Sequence, residues 1–117
     1  MDDYEIIIID DASTDTSKEV LLEYVHHPLI TVIFNSVNTG VGSASTLGAK
    51  KALGKYVVRV DADDYVHKEF LKCLHLWASF NNSHAVASSY QEVDFDENIL
   101  GLGKILILAT SLTIVLN

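Results

Sequence analysis

The sequence predicts an α/β domain with a mostly parallel sheet and helices on both faces. Two observations carry this expectation. Apolar runs of strand length at residues 5–9 (EIIII), 31–34 (TVIF) and 56–60 (YVVRV) alternate with segments of helical periodicity. The runs are also near-continuously apolar and β-branched, the pattern of strands buried on both faces.

The elements follow in chain order. Residues 5–9 read as the first strand. Residues 16–25 read as a helix opened by a capping box of Thr16 with Glu19, and His26-His27-Pro28 ends it. After the strand at 31–34 comes a glycine-containing turn, Asn38-x-Gly40-x-Gly42-Ser43, with Ser43 as the cap of a helix over 43–53 that stops at Gly54. Such a turn can also aim backbone N–H groups at a phosphate, but Ser45 stands where the dinucleotide-binding fingerprint has glycine. The strand at 56–60 is followed by a helix over 67–80 that places Phe70, Leu74 and Trp77 on one face. A further strand is expected at 85–89. The apolar run 105–116 is interrupted by Thr110, Ser111 and Thr113 and falls short of the roughly 20 residues of a membrane helix, so it reads as a buried strand or core helix. No repeat, low-complexity tract or linker divides the chain, and residues 1–117 read as a single partial domain.

Composition narrows the function. The chain has 117 residues, 49% of them hydrophobic, enough for one core. Its 8 Lys and Arg stand against 16 Asp and Glu, a net charge of −8, which argues against nucleic acid and anionic membrane surfaces as partners. A phosphorylated ligand would have to arrive with a cation. The single cysteine, Cys73, has no partner for an internal disulfide and reads as core packing. With no leader recognisable, a cytoplasmic setting is expected. His67 and His75 are eight residues apart, too far to share a metal on one helix, and His84 is isolated.

The chemistry lies in the acids. Asp10 and Asp11 follow the first strand at once, and Asp61, Asp63 and Asp64 follow the run 56–60 at once. Ligands of parallel α/β sheets gather at the carboxyl ends of strands, so both clusters are expected at one rim. Carboxylates so close repel one another unless a cation or hydrogen-bond donors offset their charge, and hard oxygen ligands suit Mg²⁺ or Mn²⁺. Asp15 and Asp64, each taken alone, read as turn or cap residues.

The stretches "IIIIDDASTD" at 6–15 and "NTGVGSASTLGAKKALGKYVVRVDADDYV" at 38–66, with their separation, resemble the nucleotide-binding half of glycosyltransferase family 2, over about residues 4–95. The resemblance implies the GT-A, Rossmann-like fold, here incomplete, and a nucleotide-diphospho-sugar donor, usually a UDP-sugar. It implies that Asp11 contacts the nucleobase, that Asp61 faces the ribose and donor sugar, and that Asp63 of the D-x-D motif binds the divalent metal, Mn²⁺ or Mg²⁺. Asp10 and Asp64 fall in the vicinity of the donor. The acceptor would be an unknown glycan or lipid-linked molecule.

Departures from the family pattern are specific. The chain begins after the strand and Pro-x-Tyr-Asn-like turn that usually open it. Ala12 replaces the glycine usual after the acid pair, and Ser43-Ala44-Ser45-Thr46 lacks the basic residue often found there. The family's general base belongs to an acceptor-binding half beyond residue 117, so no catalytic residue is assigned; Asp94, Asp96 and Glu97 read as solvated loop acids. The chain by itself is expected to hold a donor and to be catalytically incomplete. The missing first strand would leave a slot that residues 104–108 could fill, and an unfilled edge would invite a second copy of the chain. Two alternatives stand beside this reading: a non-catalytic nucleotide-sugar-binding remnant, and a phosphoacceptor receiver domain using Asp10, Asp11 and Asp61, which the absence of a Lys-Pro pair disfavours.

Overall fold

A computed structural model describes residues 4–104. They fall into two compact units, one running to Tyr65 and one beginning at Val66, where the sequence reads as one partial domain.

The first unit starts with strand β1 (Ile6–Asp10), helix α1 (Ser17–Leu22) and strand β2 (Ile30–Phe34). β1 and β2 pair in parallel, with Ile6 opposite Ile30 and Asp10 opposite Phe34. Isoleucine and valine suit this pairing because their branched Cβ packs well on a pleated surface. The strands are less enclosed than a fully apolar run suggests: Ile6 is 40% exposed, and in β1 only Asp10 is buried. α1 ends three residues before the expected Val25, and the chain continues in tight turns in which Tyr24 N–H donates to Leu21 O and His27 N–H to Tyr24 O. Its start is also capped differently. Thr16 makes no side-chain cap bond; the carboxylate of Asp15 instead accepts the Ser17 N–H at 2.9 Å, and these Ser17 bonds hold its carboxyl below the ordinary value.

Helix α2 (Val41–Lys51) opens two residues before the expected Ser43 and packs against β1. Its N-cap is Gly40, and Ser43 lies inside the helix. The hydroxyls of Ser45 and Thr46 turn back onto the carbonyls of Val41 and Gly42 at 2.7 and 2.8 Å, so they serve the helix itself. Gly48 is buried beside Ile9, where an added methyl group would meet Ile9 Cγ1 at 3.7 Å, an ordinary van der Waals contact. Lys50 and Lys51 place positive charge at the negative end of the helix dipole. Beyond it, Leu53 N–H donates to Glu5 Oε1 at 2.7 Å and ties the helix exit to the start of β1.

The expected strand at 56–60 is corrected. Among the described residues only Tyr56 makes a strand-like pairing, Val58 is the one buried side chain of the run, and Arg59 and Val60 are exposed. Arg59 folds back onto Asp61, and a run without a continuous row of backbone partners does not count as a strand however β-prone its residues are.

The second unit contains helix α3 (Phe70–Phe80) and an antiparallel hairpin of β3 (Ser89–Val93) and β4 (Ile99–Lys104). A turn with Phe70 N–H on His67 O precedes α3, which therefore begins later than His67. Its inward face carries Leu74 and Ala78, spaced four residues apart; Trp77 is 63% exposed and Cys73 is exposed, against the expectation for both. The later strand lies at 89–93 and not at 85–89, because its register is set by pairing with β4, Tyr90 opposite Gly103 and Glu92 opposite Gly101. Asp94 closes the hairpin: its carboxylate accepts the N–H groups of Asp96 and Asn98 and the Asn98 amide, and Glu97 turns the chain at φ 63°. These bonds hold the Asp94 carboxyl below its ordinary value, led by that from the Asn98 side chain. Lys104 is the last residue of β4 and pairs with Ser89; residues 105–108 of the expected slot-filling segment, and the apolar run 105–116, lie outside the described residues. Among the described residues no helix is long and apolar enough to cross a membrane.

Candidate functional site

β1 and β2 are equal in length and in register, so the residue after β2 lies beside the residue after β1. That residue is Asn35, whose N–H donates to Asp10 O at 2.8 Å and extends the pairing by one step. Asp10 itself is buried, 5% exposed, and its Oδ1 accepts the Ser13 N–H at 3.3 Å. It closes the turn after β1 from within.

That turn passes through Ala12 at φ 62°, the left-handed region in which a Cβ crowds the following carbonyl. Glycine, the residue usual at this place in the resembling family, adopts it without that cost. Ala12→Gly is therefore expected to raise stability in urea unfolding by up to about 1 kcal/mol. A loss of stability would show that the turn is not held in this conformation.

Asp11 points the other way, into the connection between β2 and α2. Its Oδ1 accepts from Asn35 Nδ2 at 2.7 Å and from Thr39 Oγ1 at 2.8 Å; the Thr39 N–H lies between both oxygens at 3.0 and 2.9 Å; and its Oδ2 accepts from Gly40 N–H at 2.7 Å. These donors, the Asn35 amide first and the Thr39 N–H next, push the Asp11 carboxyl from 3.8 down to about 2. The sign follows: a carboxyl depressed on folding contributes its full stabilisation above 3.8 and loses it as the pH falls through about 2. A carbon-13 titration of the Asp11 carboxyl should have its midpoint near 2, with the Thr39 and Gly40 amide resonances moving in step. A midpoint in the ordinary carboxylate range would mean that the turn does not hold the charge.

Asp61, Asp63 and Asp64 occupy an exposed turn in which Asp64 N–H donates to Asp61 O at 3.0 Å. The Asp61 carboxylate is gripped by the Arg59 guanidinium, with Arg59 Nε donating to Oδ1 at 2.6 Å and Nη2 reaching both oxygens. Asp63 and Asp64 extend free carboxylates among the described residues. No hydrogen bond joins this turn to Asp10 or Asp11, and among the described residues no three acidic, histidine or cysteine side chains stand close enough together to hold a metal ion. Oxygen donors of this kind are the chemistry by which Mg²⁺ is generally held, through one or two carboxylates together with substrate phosphates.

Three residues at this site carry chemistry that pattern reading passed over: Asn35, Thr39 and Arg59. Asn35 was detectable in principle, because two in-register parallel strands place the residue after one beside the acid after the other. Arg59 sits two residues before Asp61 inside an apolar run, which disguises it as part of a strand.

Comparison with known proteins supplies an independent line. The family described as glycosyl transferase family 2 matches residues 1–111. The chain is 36% identical over 88 residues to a cholesterol galactosyltransferase of Borreliella burgdorferi, covering 75% of this chain and 25% of that protein. It is 38% identical over 85 residues to a poly(ribitol-phosphate) beta-glucosyltransferase of Bacillus spizizenii, covering 71% and 13% respectively. Against a chondroitin synthase of Escherichia coli the identity is 30% over 103 residues, 86% of this chain and 15% of the relative. The chain thus spans no more than about a quarter of the length of these relatives.

Proposed function

The chain belongs to glycosyltransferase family 2, and on that premise we propose that it binds a nucleotide-diphospho-sugar, a UDP-sugar by the resemblance, for sugar transfer in glycan or surface polysaccharide synthesis. Family membership sets aside the receiver reading of Asp10, Asp11 and Asp61. It also implies an α/β fold, of which the parallel pair β1–β2 with α2 packed on β1 is a part; the larger GT-A sheet belongs to the proposal.

The observation that carries the reading is the D-x-D turn, which leaves the carboxylate of Asp63 exposed and unpaired among the described residues while Asp61 is oriented by Arg59. Asp63 would hold a Mg²⁺ or Mn²⁺ ion, with Asp64 beside it. Once bound, that ion would offset negative charge on a departing nucleoside diphosphate. Asp61, when its guanidinium partner yields, has two oxygens to offer ribose or sugar hydroxyls. Asp10 is buried and shapes the turn after β1, so its part in the donor site is structural. The acceptor, a glycan or a lipid-linked molecule in the family's terms, and the general base are left unassigned.

Calorimetric titration with UDP, GDP and CDP, each with and without Mn²⁺, tests the proposal. Binding of at least one nucleotide that strengthens with Mn²⁺ is expected. Binding indifferent to Mn²⁺, or no binding, would sink it.

A further inference from the structure

We infer that Arg59 is a latch on the donor site: it holds the carboxylate of Asp61 until a donor arrives, and then exchanges that carboxylate for the donor's diphosphate. The inference rests on the reading of the chain as a nucleotide-sugar-binding domain and names what frees Asp61 to meet ribose or sugar hydroxyls.

Arg59 is the only arginine among the 117 residues, and it stands two positions before the first acid of the D-x-D turn. Its Nε donates to Asp61 Oδ1 at 2.6 Å and its Nη2 to Asp61 Oδ2 at 2.5 Å, so guanidinium and carboxylate meet as a fork. Nη1 makes no bond among the described residues. A phosphate oxygen can therefore begin to bind the guanidinium before the fork has parted.

The pair is also easily parted. Its two side chains are 40% and 45% exposed, and an ion pair so placed favours its closed form by no more than about fivefold. A diphosphate is the stronger competitor, because the planar guanidinium matches phosphate as well as carboxylate and a diphosphate carries more charge than one carboxylate. The other described cations of the first unit are placed elsewhere. Lys18 and Lys55 lie over the rings of Phe34 and Tyr56, 5.5 and 5.2 Å from the ring centres, and Lys50 and Lys51 lie in the last turn of α2.

A latch and a purely structural ion pair differ in the sign of their effects. If Arg59 only kept the turn in shape, its loss would weaken every ligand of the turn. Loss of a latch frees Asp61 for the ribose but deletes a phosphate contact, so a nucleoside gains and a nucleoside diphosphate loses. UDP with Mn²⁺ followed by calorimetry, and uridine, which has the ribose but no phosphate, followed by nuclear magnetic resonance, read the two arms. Arg59→Gln is expected to weaken UDP about tenfold and to tighten uridine about threefold. Arg59→Lys, which keeps the charge without the fork, should tighten uridine likewise and lose less UDP affinity than Arg59→Gln. In an Asp61→Asn background Arg59→Gln should leave uridine unchanged, because no carboxylate remains to be released. Arg59 is exposed and lies outside every helix and strand, so its substitution does not threaten the fold. Weaker or unchanged uridine binding in Arg59→Gln, or a gain that persists in the Asp61→Asn background, would overturn the latch and leave the transferase reading standing. Failure of the parent chain to bind UDP would overturn the transferase reading and the latch with it.

Discussion

Asp63→Asn is expected to lose the Mn²⁺-dependent part of nucleoside diphosphate binding, by about a hundredfold or more, while Asp15→Asn leaves it unchanged. Removing a partner that merely orients a metal ligand costs about 10–100-fold, and Asp63 would touch the ion itself. The amide keeps the shape of the side chain and one acceptor oxygen but removes the full charge that draws a hard cation out of water. Asp15 is the matched control. It is an acid of the same type in the same unit, but its carboxylate is engaged with the Ser17 N–H at the start of α1. Calorimetry with and without Mn²⁺ separates the two, and equal losses would show that the D-x-D turn contributes only general negative charge. Arg59 adds a second handle: it neutralises Asp61 but has no bond to Asp63, so substitution at Asp63 should act without disturbing the ion pair.

The second large effect concerns stability. Leu74→Ala is expected to cost about 2–3 kcal/mol, at the lower end of the range for buried leucines because a small core can partly close over the gap. In the second unit only Leu74 and Ala78 are buried apolar side chains among the described residues, at 8% and 4% exposure. Trp77→Ala, the larger truncation by volume, should cost less than about 0.5 kcal/mol, because that ring is mainly in solvent. Urea unfolding of the two variants decides which face of α3 packs. A greater loss at Trp77 than at Leu74 would reverse the assignment.

The contrast at α3 shows what periodicity can and cannot tell. Spacing marked Phe70, Leu74 and Trp77 as one apolar stripe, and the helix is there, but a helix this rich in Leu, Phe and Trp has apolar residues on more than one side. Which side packs depends on the neighbour it meets. Cys73 follows the same logic, a residue usually found inside that here lies outside.

The first strand, the strand around Thr31 to Phe34 and the three helices were legible because each is a local pattern strong enough to persist in its context. The acid clusters were legible too, as was the family, since D-x-D after an apolar run and an acid pair after another are statements about order along the chain. Boundaries at Leu22, Val41 and Phe70 were not, because the Tyr24 turn, the Gly40 cap and the His67 turn set them. The run 56–60 marks the limit most clearly: its composition is that of a strand, yet a strand is a pairing between segments, and composition says nothing of the partner.

By itself, then, the sequence determined the α/β character, the two acid clusters and membership of a glycosyltransferase family, all of which are written in residue order and local propensity. Only the tertiary structure decided what each acid does. Asp10 turns inward to Ser13, Asp11 is taken up by Asn35, Thr39 and Gly40, Asp61 is claimed by Arg59, and Asp63 is left open among the described residues. The five acids of the two clusters have the same carboxylate chemistry; their roles differ because a carboxylate answers to the donors within about 3 Å of it, and while Ser13 and Arg59 are sequence neighbours of Asp10 and Asp61, the donors to Asp11 lie 24 to 29 positions away and are brought there by strand register and helix placement.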